Sequence, residues 1–460
     1  MVAVGVLLTA GMSSCGTNRY RSPAVDTADL YRDTAGDGDT TTIADIPWAS
    51  YFTDADLQQL IEEGVQANFD LRTALLRIQE AEAGLQVARA ACLPVATVTG
   101  QVTHTRTSVQ DGVTRSLGYA GNQYRLGIAV QWEVDLWGKL NRQARARYAQ
   151  YLNSYEYKRL IQTSLVSNIA ASYYTLMALD EQLRISRETV RLLEESAASM
   201  QSMMDAGLLN AAAVEQSRAL LYATQVSTLN LEVSIRKLEN SLSVVLGRKP
   251  GAIVRQAPAG WTAPATPLPY GVPAQMLARR PDVRAAELQF RTAFELRNAA
   301  QAALYPSLTL NTGTMAGYSA TALTDFFKPA NLLANIIGGL TQPVFAGNQL
   351  RAQVKITKAQ EEEALLNFEK TVLTAAREVS DVIYTYEKAL EKSVYRTSQT
   401  ESLEKSVYYT RELLKAGEAT YIEVLTAQQN YLTTRLAAVT DQLEKAQAVV
   451  DLYRALGGGD

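Results

Sequence analysis

Residues able to do chemistry are few in this sequence and far apart. One histidine, His104, stands in a Thr-rich stretch, and there are two cysteines, Cys15 and Cys92. Such a set cannot assemble the His/Cys constellations that hold zinc, haem or iron–sulfur clusters, so neither a metal site nor a cofactor is expected. With one histidine and no G-x-S-x-G elbow there is no recognisable catalytic triad, and the chain is not expected to be an enzyme. "LGGGD" near the C-terminus has neither the spacing nor the Lys-Ser/Thr of a P-loop. Cys15 is the exception. An apolar run from Val2 to Ala10 leads through small residues to Met12-Ser13-Ser14-Cys15, which resembles a bacterial lipobox whose cysteine becomes the acylated first residue of the mature protein. The run is too short to span a bilayer and reads as a secretory h-region. If Cys15 is acylated, Cys92 has no internal disulfide partner and reads as a small core residue. A lone carboxylate, Glu423, also stands out, because its neighbours Tyr421, Ile422, Val424 and Leu425 are mostly apolar.

The 460 residues are 47% hydrophobic and 20% charged, a normal globular mixture. Lys and Arg total 44 against 47 Asp and Glu, a formal charge of -3, which leaves no electrostatic footprint for nucleic acid.

The elements that carry these residues occur twice. "FDLRTALLRIQEAEAGLQVARAACLP" lies on "PDVRAAELQFRTAFELRNAAQAALYP" so that Asp70, Arg72, Ala74 and Pro94 meet Asp282, Arg284, Ala286 and Pro306. Farther on, Tyr174, Gly207, Val214 and Gly247 meet Tyr384, Gly417, Val424 and Gly457. This self-similarity divides the chain into residues 1–15 (leader and lipobox), 16–53, a first repeat 54–247, a Pro-rich linker 248–275 and a second repeat 276–457.

Each repeat reads helix, strand, loop, strand, long helix, turn, helix. Ser172, Leu176, Leu179, Leu183, Ser186, Val190, Leu193, Ala197, Met200 and Met204 follow steps of three and four, a coiled-coil seam, and Val372, Ala376, Val379, Ile383, Tyr386 and Leu390 begin its counterpart. No proline interrupts Lys139–Asp205 or Asn348–Lys415. Each is expected to be one helix of roughly 100 Å. Asp54–Cys92 and Ala211–Leu246 would be shorter helices stacked end to end beside the long ones, and Gly207 and Gly417 the left-handed turns that reverse the chain.

At the other end of the long helices the period is two. In "QYRLGIAVQWE" Tyr124, Leu126, Ile128, Val130 and Trp132 are apolar, while the residues between them are polar or small. One face suits lipid or core and the other water. Val95–Ser108 is its Thr-rich partner, and Ser307–Tyr318 and Leu332–Pro343 correspond in the second repeat. Four strands cannot close a barrel and open edges are not tolerated in a bilayer, so a membrane reading requires strands from further copies.

With those residues in place, the chain resembles the TolC/OprM family of outer-membrane efflux channels, in particular the lipoprotein branch that serves resistance-nodulation-division pumps. "VDLWGKLNR", "ARRPDVRAAE", "QPVFAGNQLRAQ" and "AGEATYIEVLTAQQNYL" each resemble a family signature and occur in the family's order. The resemblance implies an α+β membrane protein. It would be a homotrimer whose twelve strands form one outer-membrane barrel, continued by a coiled-coil tunnel of α-helices across the periplasm, with passive conduction driven by an inner-membrane pump. It also implies that the tips, Gly207, Leu208, Leu209, Gly417, Glu418 and Ala419, meet a periplasmic adaptor. Glu423 would line the entrance as a ring of three carboxylates selective for cations. The tyrosine and arginine that lock the tip in some members fall here on Leu414 and Ala419, and the aspartate they engage falls on Ala213. Tyr124, Trp132 and Tyr318 are assigned to aromatic girdles, and Cys15 to a lipid anchor. Two other readings remain at this point: the outer-membrane channel of type I protein secretion, and a coiled-coil scaffold outside the membrane.

Overall fold

The computed structural model describes residues 19–24, 47–106, 120–255, 279–311 and 316–458. Cys15 lies outside the described residues. The helices are α1 (Trp48–Tyr51), α2 (Ala55–Ala67), α3 (Phe69–Ala90), α4 (Lys139–Asp205), α5 (Ala211–Val245), α6 (Pro281–Ala302), α7 (Gln349–Ala416) and α8 (Tyr421–Ala455). The strands are β1 (Val95–Arg106), β2 (Ala120–Val134), β3 (Ser307–Asn311), β4 (Ala316–Ala320), β5 (Leu332–Leu333) and β6 (Ile337–Thr341). A shift of 212 residues carries α3 onto α6, and a shift of 210 carries α5 onto α8 with both ends matching. The repeat in the sequence is therefore a repeat of elements. Among the described residues no helix is long and apolar enough to cross a membrane.

Two compact units result, and each draws on both repeats. The first contains the described residues up to Ala24 and those of Arg77–Tyr155 and Ala285–Phe368. Its centre is an antiparallel sheet. β3 and β4 both pair with β2 on one side, and with β6 and β5 respectively on the other. The sheet therefore has four lanes in pairing order, β1, β2, β3 with β4, and β6 with β5, with helices connecting β2 to β3. Between Leu310, which faces Trp132, and Ala316, which faces Ile128, the register against β2 slips by two residues. It slips by two against the outer strand as well. An even slip keeps every side chain on its own face. Tyr20 packs on α6 in this unit, its ring 5.7 Å from that of Phe294 and its hydroxyl donating to Glu287 Oε1 at 3.2 Å.

The second unit contains the described residues of Val25–Leu76, Glu156–Arg284 and Glu369–Asp460. Leu57, Ile61, Ile169, Leu176, Leu193 and Leu246 are fully buried within it, and Tyr51 stacks on Tyr453 at 5.4 Å. Asp54 caps α2 through Asp56 N and Leu57 N. Of the expected seam, Leu176, Ser186, Leu193 and Met200 are buried.

Two expectations are corrected here. Asp54–Cys92 is not one helix, because Asn68 is extended (φ -58, ψ 131) and separates α2 from α3. Its side chain accounts for the break: Oδ1 accepts from Leu71 N at 3.0 Å to cap α3, and Nδ2 donates to Val245 O, the last residue of α5, at 2.8 Å. The second-repeat seam does not reach Leu390, which is exposed, while Ala389 is buried in its place.

The tyrosines of this core set an alkaline limit. Burial raises the Tyr51 phenol above the ordinary tyrosine range while its hydroxyl donates to Val449 O at 2.8 Å. Burial and then the hydrogen bond to Asp54 raise that of Tyr173. A folded-state pKa above the unfolded value of about 10 means stability that is complete below pH 10 and declines as pH rises past it. Urea midpoints should hold up to about pH 9 and fall beyond 10. Tyr51→Phe should cost about 1 kcal/mol at pH 8 and flatten the alkaline fall. An unchanged alkaline slope in that variant would show that Tyr51 does not control it.

Candidate functional site

The sheet of the first unit separates its two faces by parity. Paired residues of an antiparallel sheet share a face. Register places Val98 opposite Ile128 and Val102 opposite Tyr124. On the other side of β2, Leu310 lies opposite Trp132, Leu308 opposite Val134 with Leu340 beyond it, and Tyr318 opposite Leu126 with Leu332 beyond it. All of these have even numbers, and their face is exposed: Val98 is 75% accessible, Ile128 47% and Leu340 66%. The odd positions are mostly polar or small, among them Thr97, Thr99, Gln101, Thr103, Gln123, Arg125, Gln131, Thr309, Asn311 and Ser319, with Val95, Leu333 and Ile337 as apolar residues near the margins of that face. The Thr-rich β1, weakly patterned when read alone, alternates cleanly once its register is known.

The apolar face has ends. Tyr124 and Trp132 stand eight residues apart on it, about 26 Å along the strand at 3.3 Å per residue. Beyond Tyr124 the same face turns polar, where His104 Nδ1 and Asn122 Oδ1 lie 2.7 Å apart. Trp132 Nε1 donates to Cys92 O at 3.0 Å. Tyr318 packs edge-on against Phe327 at 5.6 Å and lies near Phe326 at 6.1 Å, two aromatic residues that sequence reasoning leaves in a loop.

"VDLWGKLNR" makes the turn from strand to long helix. Asp135 caps α4 through Leu140 N (3.0 Å) and Asn141 N (2.8 Å), and Gly138 supplies a left-handed backbone at φ +76. Trp137 stacks on Tyr305 at 5.0 Å and donates from Nε1 to Pro306 O at 2.8 Å. Lys139 pairs with Glu133. Sequence reasoning does not single out Trp137 or Asp135, although their place just before a glycine at the strand-to-helix junction is the available signal.

In the second unit the two glycine turns have one geometry. Gly207 and Gly417 have φ of +75 and +76. Leu208 N donates to Met203 O (2.8 Å) and Gly207 N to Met204 O (2.9 Å), and Glu418 and Gly417 repeat the pattern onto Leu413 and Leu414. These are Schellman caps, with helix restarting at Ala211 and Tyr421. Leu208 and Glu418 are exposed, and Leu209 and Ala419 half-buried. Ala213, Val214 and Val424 are buried behind the turns. Leu414 is half-buried and makes no polar latch.

Glu423 is exposed, and the structure gives its carboxylate a local partner. Thr420 N donates to Glu423 Oε2 at 2.7 Å, the N3 arm of a capping box at the start of α8. Thr-x-x-Glu is legible as that signature. In the first repeat Asn210 Oδ1 accepts from Ala213 N at 3.1 Å, so the cap there needs no acid.

A cleft of ≈ 360 Å³ between α4, α7 and α8 is lined by Glu181, Arg184, Arg396, Glu404, Arg435 and Asp441. Its main charges are matched to one another. Asp441, 4% exposed, accepts from Arg396 (2.6 Å) and Lys392 (2.9 Å), Arg184 pairs with Glu181 (2.7 Å), and Arg435 with Glu188 (3.1 Å). The arrangement ties three helices together. Among the described residues no cluster of His, Cys, Asp and Glu could hold a metal ion.

A family model described as outer membrane efflux protein matches residues 60–248 and 272–458, one match per repeat. The probable outer membrane lipoprotein SilC of Salmonella typhimurium is 29% identical over 420 residues, covering 90% of this chain and 88% of that protein. The solvent efflux pump outer membrane protein SrpC of Pseudomonas putida is 29% identical over 431 residues, covering 92% and 90%. Among solved structures the outer-membrane channel OprN superposes with a TM-score of 0.87 at 26% identity, over 96% of this chain and 98% of that one.

Proposed function

The chain belongs to the outer membrane efflux protein family, and from that premise we propose that it is the outer-membrane channel of a tripartite efflux system, conducting passively what an inner-membrane pump delivers. The observation that carries this reading is the sheet, whose exposed apolar face carries Tyr124 towards one end and Trp132 towards the other and whose opposite face is mostly polar. A sheet of four strands with open edges cannot stand alone in a bilayer. Three copies supply twelve strands and close the barrel. Lipid then covers the even face, water fills the odd face, and Tyr124, Trp132 and Tyr318 lie in the aromatic girdles.

The remaining assignments follow the same frame. Repeats 54–247 and 276–457, joined by 248–275, supply helices to a tunnel in the periplasm. The exposed turns at Gly207–Leu209 and Gly417–Ala419 are the surface offered to a periplasmic adaptor, which links the channel to a pump of the resistance-nodulation-division type. Cys15 carries the acyl anchor, to which the barrel adds far more membrane attachment than one chain provides. Glu423 places one carboxylate per copy near the tip, and three-fold symmetry makes a ring of them.

Reconstitution tests the reading. The protein extracted with detergent from outer membranes should run as a trimer and give discrete conductance steps in planar bilayers. A soluble monomer without conductance would end the proposal. Cys15→Ser should abolish labelling by a palmitate analogue while assembled trimer persists, and unchanged labelling would reject the anchor. For the tip, Glu423→Gln is a clean probe, because glutamine serves a capping box as glutamate does and only the charge is lost. Divalent-cation block from the tip side should weaken in Glu423→Gln and persist in Glu418→Gln. Wild-type block in Glu423→Gln trimers would place the ring elsewhere.

A further inference from the structure

The polar face of the sheet is nearly uncharged, which makes its one arginine conspicuous. Arg125 sits on β2 at an odd position, opposite Gln101 of β1 and Ser319 of β4. Its guanidinium donates from Nη2 to Gln123 Oε1 at 3.0 Å, and Gln123 in turn donates from Nε2 to Ser319 Oγ at 3.3 Å. Its Nε is buried without a hydrogen-bond partner. Every neighbour given by register or hydrogen bond is neutral.

An arginine that serves only to hold strands together is commonly matched by an acid on the neighbouring strand. Here the described strand residues of that face hold a single acid, Glu133, which lies eight residues along β2 and is paired with Lys139. The next position on the same face is Gly127, set opposite Gly317, so on that side neither β2 nor β4 raises a side chain next to Arg125. The planar guanidinium fork presents several donors at once to an anion.

We infer that Arg125 is a selectivity residue of the barrel: one guanidinium per copy forms a cationic ring that favours anions, or cargo bearing anionic groups, on the exit side of the pore. This rests on the reading of the odd face as the lumen of a trimeric barrel. In a water-filled lumen of ordinary ionic strength, a few fixed charges change local counter-ion concentration by a small factor and not by orders of magnitude.

The test uses full-length trimers in planar bilayers, with potassium chloride as probe and reversal potential under a salt gradient as readout. Arg125→Gln should lower the chloride-to-potassium permeability ratio on the order of threefold at low salt, with the shift shrinking as salt rises. Arg125→Lys should keep a ratio near that of the wild type. Gln101→Glu leaves the arginine in place and sets a carboxylate opposite it, so it should reproduce the shift even if Arg125→Gln assembles poorly. Wild-type reversal potentials in conducting Arg125→Gln or Gln101→Glu trimers would overturn the inference and leave the channel reading intact. Absence of conductance in the wild type as well would remove both.

Discussion

Arginine in place of Ile128 should cost about 2 to 4 kcal/mol of folding free energy in lipid, whereas arginine at the adjacent Ala129 should cost far less. Ile128 lies midway between Tyr124 and Trp132, its register partners Val98 and Ala316 are apolar, and 47% of its own surface is open. A guanidinium there meets the centre of the hydrocarbon, beyond easy reach of either interface. Ala129 lies opposite Thr97 on the polar face, where a long charged side chain extends into water. The two substitutions share strand and depth, and the difference in strand propensity between the isoleucine and alanine they replace amounts to at most about 1 kcal/mol. Folding yield of trimers in detergent or liposomes, measured across a urea series, reads the difference. Equal losses from both variants would mean that the two faces are not lipid and lumen.

How much of this can be read from the sequence varies with the range of the interaction. Alternation in Tyr124–Trp132, the helix spanning Lys139–Asp205 and the turns at Gly207 and Gly417 are local patterns, and each lies in the structure where its pattern puts it. The break at Asn68 is not legible, because hydrophobic spacing runs on through it and the residue that rewards the break, Val245, is far away in sequence. Leu390 lies five helical turns from Val372, on the same face of a straight helix, yet it is exposed while Ala389 is buried, and spacing along α7 does not account for this. Glu423 shows a third case. Apolar neighbours suggest a functional acid, yet Thr420 three residues before it is sufficient to indicate a cap. The site residues that sequence reading misses altogether, Asp135, Trp137 and Arg125, owe their roles to partners whose positions only the register and the strand-to-helix turn reveal.

The second large effect concerns such a long-range pair. Arg280 ends "ARR" just before α6 and is 5% exposed. It donates from Nη1 to Ala455 O at 2.7 Å, from Nε and Nη2 to the two oxygens of Asp282 at 2.9 and 2.6 Å, and from Nη2 to Glu378 Oε2 at 2.8 Å. Burial alone would lower its pKa, but Asp282 and Glu378 outweigh that and hold it above the ordinary arginine value. In the first repeat the equivalent position is Asn68, which donates to Val245 O, and Val245 is the counterpart of Ala455. Both repeats thus tie the last carbonyl of the neighbouring helix to the residue that precedes the next one, and the second repeat does so with a buried charge. Removing a neutral donor leaves one carbonyl unpaired and loses one cap, so Asn68→Ala should cost about 1 to 3 kcal/mol. Arg280→Ala also strips two partly buried carboxylates of their counter-charge and should cost roughly 3 to 5 kcal/mol. Arg280→Lys keeps the charge without the fork and should fall between these values. If unpaired carboxylates are the main loss, Glu378→Gln should recover part of the stability in the Arg280→Ala background while it destabilises the wild-type chain. Urea unfolding of the wild type, the two single variants and the double variant forms a double-mutant cycle, and simple additivity in it would show that Arg280 acts through the Ala455 carbonyl and packing and not through its charge.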